Sequence, residues 1–118
     1  MVVTYRTNRL QKIGNEEKTG IRELGPACAA KLRQRLAELK AFDTLNEVSH
    51  LPPSRCHELT NRGGVYSVDL QQPYRLLFVP ANEPIPRKAD GGMDLRRVTA
   101  VEVIDIEDTH DAKNQRRG

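Results

Sequence analysis

Cysteine is scarce in this chain: only Cys28 and Cys56 occur among its 118 residues. Two thiols cannot supply a zinc site by themselves and make no disulfide framework, so a pair of reduced thiols in a cytosolic protein is expected. Long apolar runs are missing as well. No stretch approaches the ~20 residues needed to cross a bilayer, and no charged-then-apolar leader opens the sequence. The expectation is a soluble, cytoplasmic protein with no membrane partner. Several familiar site motifs are also absent. Asn61-Arg62-Gly63-Gly64 is too short for a nucleotide-binding glycine loop and lacks the Walker lysine and hydroxyl. There is no Gly-x-Ser-x-Gly elbow, no tight His-x-x-x-His spacing, no zinc-finger signature and no internal repeat. Neither metal nor cofactor is expected.

What is present suits one domain with a single core. Hydrophobic residues make up 37% and charged residues 30%, polar for a globular chain, but the apolar residues cluster in blocks that a disordered segment would lack. The net charge of +3 is unevenly placed. Residues 1–40 hold nine Lys and Arg against four Glu, and the rest is slightly acidic. Such a basic half can favour a polyanion or an acidic protein through its field, and a solvated helical surface accounts for it equally well.

Periodicity divides the chain. Val2 to Tyr5 reads as a short strand, followed by a basic stretch with Leu10 and Ile13 in helical register. Gly14-Asn15 and Gly20 make that helix short or interrupted. Pro26 suits the first turn of the next helix, whose Ala29, Leu32, Leu36 and Leu39 share a face. Lys31, Arg33, Gln34, Arg35 and Glu38 fall mostly outside it. Thr44 to Glu47 has capping-box spacing for one more turn, and Leu51-Pro52-Pro53 ends helical structure. Beyond it the period shortens. Arg55 to Leu59 predicts a short strand, and Tyr66, Val68 and Leu70 alternate with polar neighbours in a second. Tyr74, Leu76 and Phe78 mark one face of a third. Val98 to Ile106 is apolar on parts of both faces and is expected inside the sheet. The intervening polar loop, Pro80 to Asp94, is long for a connection without structure. The plan is a short strand, helices and an antiparallel meander, with 111–118 as a mobile tail.

Few residues suit catalysis. His50 sits in a turn, His57 in the short strand beside charged neighbours, and His110 after the last strand. Arg75 lies in an apolar run, where an unpaired guanidinium is costly. It either pairs with an internal carboxylate such as Asp69 or reaches a cleft to hold an anion, since an arginine fork matches phosphate oxygens. Adjacent meander strands can bring Arg75, His57 and the 108–110 segment together. Attack of a ribose 2′-hydroxyl on phosphate needs a proton acceptor, a cation on the phosphorane and a proton donor for the leaving oxygen. Imidazoles and an arginine are suitable materials. Tyr66 and Tyr74 can stack on a base, though core packing is their commoner use.

Three stretches in combination, LPPSRCHEL (51–59), YSVDLQQPYRLLFVPANEPIPRKADGG (66–92) and VTAVEVIDIEDTH (98–110), resemble the HigB-type killer proteins of bacterial toxin–antitoxin systems, within the RelE-like toxin superfamily. The resemblance covers nearly the whole chain. It implies an α+β domain over 1–118, with an antiparallel sheet of about four strands and two or three helices packed on one side, in the order β-α-α-β-β-β. It implies a ribosome-dependent endoribonuclease that cuts translated mRNA and is held in check by a HigA-like helix-turn-helix antitoxin. Operator DNA would be met only through the toxin–antitoxin complex. The catalytic positions implied are His57, Arg75, Asp108, Thr109 and His110, with Arg75 on the scissile phosphate. Thr109 stands where the family's terminal Asp-Tyr-His motif has tyrosine, losing a ring and a phenol. Cations expected to face RNA or ribosome are Arg55, Arg62, Lys31, Arg35, Arg87 and Lys88. Two alternatives share the fold: a ParE-like poison of DNA gyrase, and an antitoxin-binding or regulatory protein with little or no catalysis.

Overall fold

Val2–Tyr5 forms the first strand, β1. Thr7 then caps the next segment, its hydroxyl accepting the Leu10 N–H at 3.1 Å, and helix α1 runs over Asn8–Asn15. The expected interruption falls at Glu16, whose extended backbone separates α1 from α2, Glu17–Leu24. A Cβ on Gly14 would lie 2.9 Å from the Tyr5 ring and hydroxyl, so a side chain there would displace the end of that ring. Gly25, at φ 82°, makes the turn from α2 into α3, and Pro26 opens that helix, Pro26–Ala41. A computed structural model describes residues 1–109; His110 and the tail expected over 111–118 lie outside the described residues.

The remaining strands are β2 (His57–Glu58), β3 (Tyr66–Asp69), β4 (Tyr74–Pro80) and β5 (Ala100–Asp108). They form the expected antiparallel meander, with β5 inside the sheet, and the order β1-β5-β4-β3-β2 has the five strands read from periodicity where the resemblance implies about four. β1 lies parallel to β5, with Val3 opposite Val101 and Tyr5 opposite Val103. The sheet is therefore mixed and not wholly antiparallel. β5 carries apolar residues that must be buried, and its outer N–H and C=O groups need partners that β1 supplies. β2 is shorter than the strand expected over Arg55 to Leu59. Arg55 takes the left-handed conformation, at φ 50°, which breaks the strand before it starts.

Leu10 and Ile13 of α1 and Leu32, Leu36 and Leu39 of α3 pack on one face of the sheet. That face presents Tyr66, Val68, Leu76, Phe78, Val101 and Val103. The Tyr66 and Phe78 rings stack at 6.1 Å, so Tyr66 belongs to the core. A bulge in the β4–β5 pairing, where the register shifts between Leu77 and Phe78, changes the side-chain parity along β5. Val101 and Val103 face the helices before it; Ile106 packs on the core after it, which turns Glu107 to the opposite face.

The Pro80 to Asp94 loop is folded on itself. Arg87 bridges to Met93, and Asp94 ties its end through the Arg97 guanidinium at 2.9 Å, an interaction that holds the Asp94 carboxyl below its usual range. Among the described residues no helix is long and apolar enough to cross a membrane.

Cys28 and Cys56 are both free and buried. Burial pushes the Cys56 thiol up from 9.0 to about 11. It should therefore resist alkylation in the native protein at pH 8, reacting only on unfolding. Because its folded value is the higher one, its contribution to stability is complete below pH 9 and is lost as pH rises towards 11. Alkylation as fast as that of a free thiol would contradict this.

Candidate functional site

The face turned away from the helices carries the polar residues of the meander. On β4, Leu76 and Phe78 point into the core, so Arg75 points the other way. Its register partners are Asp69 on β3 and Glu107 on β5. The guanidinium takes Glu107: Nε donates to Oε2 at 2.7 Å and Nη2 lies 2.6 Å from the same oxygen. Of the two outcomes open to an arginine in this run both are realised: the guanidinium pairs, with Glu107 in place of Asp69, and it also lines a recess. Asp69 instead meets Arg55, at 3.5 Å.

A second arginine joins from the β2–β3 turn. Glu58 accepts the Gly64 N–H at 2.7 Å, and the Leu59 and Val65 backbones close the turn beneath it. Arg62 is thereby directed to Glu107, with Nη2 3.0 Å from Oε1 and 3.3 Å from Oε2. The Glu107 side chain is only 13% exposed. Burial pushes its carboxyl up, but the hydrogen bonds and charges of Arg75 and Arg62 outweigh that, and it is held below its ordinary 4.5. It stays ionised at neutral pH. The sheet's alternation and the bulge place Glu107 there. A strict alternation through VEVIDIED puts it on the core side with Val101 and Val103, which is why it is not recognisable from sequence.

His57 completes the group. Its Nδ1 lies 2.9 Å from the Arg55 carbonyl oxygen. A carbonyl can only accept, so Nδ1 carries the proton in this contact, and the tautomer it selects has its lone pair at Nε2. The left-handed Arg55 backbone aims that carbonyl, a conformation costing about 1 kcal/mol or more for a residue with a Cβ. His57, Arg62 and Arg75, with Leu59, Thr60 and Asn61, line one recess of about 210 Å³.

Other candidate residues lie elsewhere. Asp108 pairs with Tyr74 at the end of β5. Thr109 donates both its N–H, at 3.1 Å, and its hydroxyl, at 3.0 Å, to the Pro73 carbonyl. Neither residue lines the recess, and His110 lies outside the described residues. Arg55 is an exposed side chain paired with Asp69. Lys31 is half-buried on α3, in the helical layer, and Arg87 and Lys88 are exposed in the 80–94 loop.

Arg35 corrects the sequence reading. It is 2% exposed, with Nε donating to the Asp69 carbonyl at 2.9 Å and Nη1 3.2 Å from both Glu38 oxygens. It ties α3 to β3 and has no surface to offer RNA. A helical arginine three residues from a glutamate looks like a solvated pair, which is why the pattern misplaces it.

A larger cavity, of about 530 Å³, lies between β1, β5 and the segment after β4. It holds no histidine, and its Arg6 is paired with Glu102 at 2.9 Å. His57 also lines a recess of about 290 Å³ with His50, Cys56 and Glu58, but the smaller one is where a histidine meets arginines. Among the described residues no group of three or more His, Cys, Asp or Glu is placed to hold a metal ion. No family model, no curated protein and no solved structure matches this chain.

Proposed function

We propose that this chain is a toxin of the HigB type, with a RelE-like fold, that cleaves translated mRNA on the ribosome. The observation that carries the reading is the recess that His57 lines together with Arg62 and Arg75, with the imidazole Nδ1 engaged by the Arg55 carbonyl. His57 Nε2 accepts the proton of a ribose 2′-hydroxyl, the 2′-oxygen attacks phosphorus, and the bond from phosphorus to the 5′-oxygen breaks. Arg75, with Arg62, steadies the charge that grows on the phosphorane oxygens. The proton for the departing 5′-oxygen falls to a second imidazole, for which the resemblance implies His110 of the terminal segment. The cut therefore leaves a 2′,3′-cyclic phosphate and a 5′-hydroxyl.

A recess of about 210 Å³ suits a phosphate and its sugar, not a strand. The message must be held by something else, which favours action on the ribosome over action on free RNA. Exposed cations such as Arg55, Arg87 and Lys88 are suited to phosphate contacts that position the protein there. A HigA-like antitoxin as partner, and operator DNA through the pair, belong to the same reading. Induced expression in cells with mapping of mRNA ends tests it. Growth arrest with message cut inside translated codons is expected, and arrest with intact message would overturn it.

One observation favours a second reading, a nuclease of low activity. The Thr109 hydroxyl is committed to the Pro73 carbonyl, and a hydroxyl of such high pKa is a poor acid or base in any case. Thr109→Tyr is then expected to raise the cleavage rate; a drop in rate with the fold intact would remove this reading.

A further inference from the structure

Glu107 is the most enclosed ionised group on the functional face, and nothing in the proton transfers above uses it. It sits between two guanidinium groups, each of which keeps donors in reserve. Arg75 spends Nε and Nη2 on Glu107 and keeps Nη1; Arg62 spends Nη2 and keeps Nε and Nη1. Those nitrogens donate to nothing else among the described residues, and both side chains line the recess. Two guanidiniums and one carboxylate leave a single positive charge, which matches the single negative charge of a phosphodiester.

We propose that Arg62, Glu107 and Arg75 form a preset seat for one phosphodiester, in which Glu107 is a positioning residue that orients both arginines and sets the charge of the seat. The idea deepens the nuclease reading and rests on it for the identity of the substrate. Without Glu107 the arginines would spread under mutual repulsion, and each would have to be ordered when substrate arrives. With it the fork is rigid beforehand, so binding loses less entropy and the donors are aimed at the phosphorane. The carboxylate also prevents the seat from holding an anion too tightly to release it.

The seat can be tested apart from catalysis by titrating dimethyl phosphate, a phosphodiester monoanion, while following the arginine Nε–H signals by NMR. In the wild-type protein the Arg62 and Arg75 signals are expected to move together. Glu107→Gln should bind the probe roughly threefold more tightly, from the added net charge, and its Arg75 signal should lose its distinct position. Glu107→Asp keeps the charge but loses reach, so it should bind the probe more weakly than wild type, with the same loss of Arg75 order. On programmed ribosomes, single-turnover cleavage should fall about 10- to 100-fold in both variants, through misplacement of the fork. Unmoved arginine signals in the wild type, or an identical titration in Glu107→Gln, would overturn the seat. Undiminished cleavage by the variants would overturn the positioning role. Failure of the wild type to cleave any message would count against the nuclease reading, while the phosphate titration would still decide the seat.

Discussion

Replacing His57 with alanine is expected to slow cleavage of ribosome-bound message by about 10²- to 10⁴-fold, the usual scale for losing a general base. The magnitude follows from the tautomer. With the Nδ1 proton held by the Arg55 carbonyl, Nε2 is the only ring atom able to take the 2′-hydroxyl proton. His57 is exposed on the short edge strand β2, so its loss should change unfolding free energy by no more than ~0.5 kcal/mol. Rate and stability therefore separate. A fall in rate that tracks a fall in melting temperature would mean that His57 holds the edge of the sheet and performs no proton transfer. The test is single-turnover cleavage with melting temperature recorded on the same preparations.

Arg35→Ala should do the reverse. The change strips the Asp69 carbonyl and Glu38 of a buried partner and disturbs the Ser54 hydroxyl, which donates to Glu38 at 3.2 Å. Because the Glu38 side chain is 31% exposed and can hydrate, losing the buried arginine costs about 1–3 kcal/mol, or a melting temperature lower by roughly 4–15 °C. Affinity for ribosomes, measured below the new melting temperature, should stay at the wild-type level. An unchanged melting temperature with weakened ribosome binding would return Arg35 to the surface role that its place in the helical pattern suggests.

Arg35 and Glu107 show where the sequence stops being legible. Local rules reach the elements well. Pro26 opens α3, and the spacing of Leu32, Leu36 and Leu39 marks its buried face. Alternation through Tyr66–Asp69 and Tyr74–Pro80 gives β3 and β4, and the apolar run from Val98 gives a strand that is internal. What local rules miss depends on contacts distant in sequence. β1 meets β5 some hundred residues later, with Val3 opposite Val101, and no feature of Val2–Tyr5 announces a parallel partner. The bulge opposite Leu77 and Phe78 reverses the parity of β5, and with it the whole identity of the Arg75 partner.

For the site, His57 and Arg75 could be named from residue type and setting, and Arg62 only as a cation expected to face RNA or ribosome; the fold brings the three to one recess. The terminal segment divides. Asp108 lies beside Tyr74 and Thr109 turns onto Pro73, while Glu107, one residue earlier, occupies the centre of the charge cluster. A one-residue change of register decides which acid of Glu107-Asp108 faces the arginines. Periodicity has no means of locating a bulge that pairing across two strands creates.

The most direct test of the account is the chemistry of the cut ends. Purified protein is mixed with ribosomes programmed with a defined message, and the termini at the break are identified. Transfer of the 2′-hydroxyl proton to His57 predicts a 2′,3′-cyclic phosphate, or the 3′-phosphate it hydrolyses to, facing a 5′-hydroxyl, with no product from a message carrying a 2′-deoxy sugar at that position. Ends bearing a 5′-phosphate and a 3′-hydroxyl, or cleavage that survives the 2′-deoxy substitution, would contradict it.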